Sequence, residues 1–65
     1  MEAEVEFMTL SGEQLYFSHY ISFVPRVGER VSFPNYSHWY KVTAVYHDIG
    51  DMRRMTRHAV IVEKM

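Results

Sequence analysis

No cysteine occurs anywhere in this chain of 65 residues, and that constrains the fold more than any other feature. Chains this short commonly rely on disulfides or a thiolate-bound zinc, because a domain of about 60 residues buries only about 60% of the surface its unfolded chain exposes. Apolar packing remains, and beyond it association with another chain. Composition permits the first: 48% of the residues are hydrophobic, 15% aromatic and 23% charged, a globular rather than a disordered balance. Each large ring buries much apolar area, which partly offsets the small size. A single small β domain over residues 1–65 is expected. The net charge of −1 and a pI near 6.4 disfavour a uniformly basic nucleic-acid binder. No apolar run reaches about 18 residues and no basic-then-apolar leader is visible, so the expectation is a cytoplasmic chain with no membrane association.

The periodicity is that of strands. Glu2, Glu4 and Glu6 alternate with Ala3, Val5 and Phe7, which predicts a strand with one wet face. Its acidity further suggests an edge strand, where like charges resist indiscriminate pairing. Ser11-Gly12 supplies turn chemistry, and a second run from Gln14 to Ile21 makes a hairpin the economical reading. Pro25 and Gly28 interrupt the next stretch and predict a turn. Arg30 to Phe33 reads as a short third strand, closed by Pro34-Asn35. The longest run, Trp39 to His47, carries bulky apolar groups on both parities. It is either a central strand or one that bends through a bulge and swaps its faces, and the bend is favoured. Asp48 to Met55 lacks alternation and reads as a loop of about eight residues. Thr56 to Glu63 is a fifth, β-branched strand. The fold class expected is mostly β, either a single small SH3-like barrel or a strongly curved five-stranded antiparallel meander sheet.

The segments Pro25-Arg26-Val27-Gly28-Glu29-Arg30-Val31, Tyr40-Lys41-Val42-Thr43-Ala44-Val45 and Val60-Ile61-Val62-Glu63 together resemble a recurrent pattern. It is similar to short hypothetical proteins of bacteria, prophages and tailed phages that read Pro-Arg-Val-Gly-acidic-x-Val, then Tyr-x-Val-x-x-Val. The same spacing resembles SH3-like small β-barrels. The resemblance covers roughly residues 23–63 and encodes a turn and a sheet rather than chemistry. It implies a small barrel of phage or mobile-element origin without established catalytic residues. Asn35-Tyr36-Ser37-His38-Trp39 departs from it, being longer and more aromatic than a tight turn.

Candidate chemistry is sparse. Of the four histidines, His47 and His58 can meet across a hairpin beside Asp48, but no pair has close ligand spacing along the chain. They are read as surface or partly buried strand histidines, with no metal and no cofactor expected. The serines lie outside any nucleophile-elbow motif, and Gly12, Gly28 and Gly50 are too dispersed to cradle a phosphate. The chain is therefore not expected to be an enzyme. Charge is more telling in its layout. Residues 1–13 hold four glutamates and no Lys or Arg, a local −4. The rest holds seven basic residues against Glu29, Asp48, Asp51 and Glu63, a local +3. Either the acidic strand pairs internally with basic strands, or the two patches join separate molecules. Met52-Arg53-Arg54-Met55 combines adaptable thioethers with guanidinium forks that suit anionic or protein surfaces. Tyr16, Tyr20, Tyr36, Trp39 and Tyr46 exceed what so small an interior holds, so some are exposed or lid the barrel.

The expected binding residues are thus Met52, Arg53, Arg54, Met55 and Arg57, with Tyr36 and Trp39. The leading expectation is a non-catalytic binding module, a phage or mobile-element accessory protein that occupies, inhibits or sequesters a host factor in the host cytoplasm. The alternatives are a nucleic-acid-binding small barrel and an oligomeric sponge for a small anionic nucleotide. A protein partner is favoured, together with self-association. The small core leaves little stability margin, and a two-fold dimer would satisfy an acidic strand and the Arg53-Arg54-Arg57 segment twice. Sedimentation equilibrium at tens of micromolar is expected to show a mass above 7.8 kDa, and a mass that stays at that value rejects the dimer.

Overall fold

The computed structural model describes residues 3–18, 23–48 and 56–65. Their regular structure is entirely strand: β1 (Ala3–Met8), β2 (Gln14–Ser18), β3 (Arg30–Ser32), β4 (Trp39–Asp48) and β5 (Thr56–Lys64). They form one sheet in the order β2-β1-β5-β4-β3, curled into a half-barrel. The mostly β, strongly curved five-stranded sheet expected from the sequence is what forms. Among the described residues no helix is long and apolar enough to cross a membrane.

The connectivity differs from a meander. Hairpin pairing holds for β1–β2, β3–β4 and β4–β5, all antiparallel, but β1 lies parallel to β5, from Ala3 opposite Thr56 to Met8 opposite Ile61. The sheet is therefore mixed. β1 is also an interior strand between β2 and β5 rather than an edge. Its alternating glutamates mark an outward face, not an unpaired margin. Val5 and Phe7 point the other way and are buried, while Glu4 and Glu6 stay partly exposed, as the period-two geometry of a strand requires.

β4 contains the expected bend. Its register against β5 shifts between Val42 and Ala44, so Tyr40 and Val42 face inward before the shift and Val45 packs on the core after it. Thr43 is the extra residue, and its hydroxyl donates to the Ile61 carbonyl at 3.2 Å. One inserted residue thus exchanges the faces of the strand and sharpens its twist. Two turns shape the ends. Glu29 N–H donates to the Arg26 carbonyl at 3.0 Å, and Gly28 takes φ +96° at the third position, where a type II turn needs positive φ. The Glu29 carboxylate also accepts from Arg26 N–H. Thr9 exchanges backbone bonds with Gly12 and Glu13 at 2.9 Å each to close the β1–β2 loop.

The core consists of Val5, Phe7, Phe33, Tyr40, Val42, Val60 and Val62, edged by Leu15, Val24, Val31 and Val45. Phe33, just beyond β3, is its aromatic hub: ring centroids lie 5.2 Å from Phe7, 5.5 Å from Tyr40 and 5.9 Å from Tyr16. Val60 has no exposed surface, so Val60→Ala is expected to cost about 2–3 kcal/mol from lost burial and the cavity left behind. Tyr46→Ala on the exposed face is expected to stay within about 0.5 kcal/mol of wild type. Urea unfolding of both variants checks the contrast, and equal midpoints would contradict the assigned core.

Candidate functional site

The β4–β5 ladder carries different chemistry at its two ends, because β4 is the longest strand and short β3 flanks only the end at Trp39. At one end stands Trp39, first residue of β4, opposite Ser32 of β3. Its parity is opposite to that of buried Tyr40, so the indole faces outward and is 57% exposed. Met65 N–H donates to the Trp39 carbonyl at 3.1 Å, fixing the strand end. Arg30, His38 and Met65 border the same open depression as the indole. Lys41, two residues along β4, lies opposite Arg30. The result is a ring on a rigid strand, surrounded by cationic groups and a thioether.

At the other end, Asp48 lies opposite Arg57 and His47 opposite His58. β1 brings Glu4 beside Arg57 in the parallel register, and their side chains form an ion pair at 3.2 Å. Arg57 remains 70% exposed in that pair and Glu4 18%, so the bond contributes at most about 1 kcal/mol. The acidic N-terminal strand thus pairs with a basic strand of its own chain through Glu4 and Arg57. Glu4, Glu6 and Asp48 share a shallow cleft of about 300 Å³ with the rings of Phe17 and Tyr46.

The two imidazoles meet directly. His47 Nδ1 lies 2.6 Å from His58 Nδ1, with ring planes at 83°. Such a contact needs one nitrogen to donate and the other to accept, so two fully protonated rings are incompatible with it. The carboxylate of Asp48 does not complete a triad with them. Among the described residues no group of three or more His, Cys, Asp or Glu is placed to hold a metal ion.

The residues expected to bind are dispersed. Arg57 lies at the histidine end and Trp39 at the far end of the same ladder. Tyr36 folds onto the core margin, edge-on to Phe33 at 6.3 Å and to Tyr40 at 6.2 Å, so it lids the aromatic cluster. Met52, Arg53, Arg54 and Met55 lie outside the described residues. Sequence reasoning passed over Arg30 and Met65 as neighbours of Trp39, because only the β3–β4 register and the return of the chain after β5 bring them there. Comparison with protein-family models, with curated proteins and with solved structures returns no match.

His58 is held below the ordinary imidazole value of 6.5, first by burial and then by the neighbouring His47. The groups around it are His47 and Asp48 on β4, Arg57 on its own strand, and Val5 and Glu4 on β1. Its folded state therefore binds a proton less readily than the unfolded chain. This contribution to stability is complete above about pH 6.5 and is lost as pH falls toward the lowered folded value. In buffer containing a chelator, the wild-type urea midpoint is expected to drop between pH 7.5 and pH 5.5 by more than that of His58→Asn. Equal drops in the two proteins would show that His58 does not carry the linkage.

Proposed function

We propose that this chain is a non-catalytic binding module that works by occupying a protein partner. The observation that supports it most is Trp39: a rigidly mounted indole, more than half exposed, with Arg30, His38 and Met65 around it. Tryptophan and arginine are the side chains that most often dominate the energy of protein interfaces. The backbone that carries the ring is already fixed in a ladder, so only side-chain freedom is lost there when a partner covers it. A setting as a phage or mobile-element accessory protein, with a host factor as the partner, rests on the turn-and-sheet signature of residues 25–31 and 40–45. A two-fold dimer belongs to the same reading. The carboxylates Glu6 and Asp48 at one end of the sheet are complementary to Arg30 and Lys41 at the other.

A nucleic-acid reading draws less support, since Arg57 is already engaged by Glu4 within the chain. The test is affinity capture with wild-type and Trp39→Ala baits, followed by titration of the purified partner. The expected outcome is a loss of about 30-fold or more in affinity on Trp39→Ala, as for a central interface residue. Equal affinity of the two baits would reject Trp39 as the anchor. Retention of single-stranded DNA or RNA with a salt slope of several units would replace the protein partner with nucleic acid. A small anion retained in native mass spectrometry would replace it with a nucleotide sponge.

A further inference from the structure

The opposed imidazoles of His47 and His58 do something the binding reading does not use. Two nitrogen donors are fixed face to face by the pairing of two long strands, at the end of a ladder whose opposite end is tied down by the Trp39–Met65 bond. From the geometry we infer that His47 and His58 form a cross-strand two-imidazole chelate for a divalent transition-metal ion of tetragonal preference, copper(II) ahead of nickel(II) and zinc(II). The inference is independent of the proposed partner.

Distances decide the preference. The Nδ1 atoms stand 2.6 Å apart. With metal–nitrogen bonds of about 2.0–2.1 Å, an N–metal–N angle of 90° requires a separation of about 2.9 Å, and a tetrahedral angle about 3.3 Å. The first lies about 0.3 Å and the second about 0.7 Å beyond the present separation, and in either case both rings must also turn their lone pairs from the N···N line toward the ion. In donor separation the pair is therefore nearer to a tetragonal ion, and copper(II) also leads the affinity order for nitrogen ligands. Both rings bind as neutral imidazoles. The ring that donates from Nδ1 in the metal-free contact transfers that hydrogen to its own Nε2 through solvent, so no net proton is released from a neutral pair.

The carboxylates nearest in register stand on the other face of the sheet: Glu4, Arg57 and Asp48 form one cross-strand row and Glu6 and Tyr46 another, while Val5, His58 and His47 form the row between them on the core side, so the two imidazoles alone hold the ion. On β1, buried Val5 lies opposite His58 and gives the imidazole an apolar support. The chain supplies two ligands, and the remaining positions fall to water or an incoming group. Their separation by 11 residues hides the pair in the sequence; the β4–β5 register creates it.

The experiment uses the untagged full chain, stripped with chelator and titrated with copper(II) in a non-coordinating buffer at pH 7.5. Electron paramagnetic resonance counts the bound nitrogens and calorimetry measures affinity. One copper per chain with two imidazole nitrogens in its plane is expected. Losing a group that only supports a metal ligand costs about 10–100-fold, so removing a ligand itself in His47→Ala or His58→Ala should cost at least about tenfold. A variant lacking His19 and His38 should bind as wild type does. Fewer than two bound imidazoles in wild type, or unchanged affinity in His58→Ala, would overturn the chelate. The wild-type nitrogen count stands even if a variant fails to fold. Loss of binding in the variant lacking His19 and His38 would move the site elsewhere.

Discussion

Val5 and Phe7 of β1 meet Val60 across a parallel ladder, and Val62 and Val42 continue the same apolar seam across the antiparallel one. Four of these five valines and phenylalanines have essentially no exposed surface. In a chain without disulfides this seam supplies five of the seven core side chains among the described residues, and it forms because β1 and β5 lie side by side. The hairpins at either flank then add what they can: Phe33 and Tyr40 on the β3–β4 side, Leu15 and Tyr16 on the β2 side. The half-barrel is thus two hairpin systems joined by one parallel contact.

That organisation explains the distribution of function-bearing groups. Because the concave side is consumed by packing, polar chemistry is driven to the convex face and to the ends of the long β4–β5 ladder. The bulge at Thr43 separates the two ends. Before it, odd-numbered β4 residues such as Trp39 and Lys41 face outward; after it, Tyr46 does so and His47 takes the parity of Val45. One inserted residue therefore exposes a ring at each end of the strand and sets an imidazole opposite His58.

Much of this was legible in the residues, and the failures have a common cause. Apolar groups on both parities of residues 39–47 announced a bulge, and Gly28 after Pro25 announced a turn, since both are local steric facts. The interior position of β1 and its parallel partner were not legible. Alternating glutamates look the same on an edge strand as on an interior strand with one wet face, and nothing local distinguishes β5 from β3 as the second neighbour. The same limit applied to the site. Trp39 could be named as a binding candidate among several rings too many for the interior, but its neighbours Arg30 and Met65 come from register. His47 and His58 could be paired only conditionally, because the loop between them left the alignment of the strands open. Residues 25–31, legible as a turn followed by a strand, form the Arg26–Glu29 turn and the start of β3, and such architecture does not by itself carry function.

The parallel contact has a temporal consequence. β1 and β5 are separated in sequence by every other strand, so their pairing closes the longest loop available to the chain and contributes heavily to its contact order. During synthesis the β1–β2 and β3–β4 hairpins can close as they emerge, yet neither has a buried partner for its apolar face. Val5 and Phe7 must wait in water until Val60 and Val62 leave the ribosome. The decisive step of folding therefore waits for β5, and until then the nascent chain presents an exposed apolar strand, which is the interval in which a chaperone or a protease would encounter it.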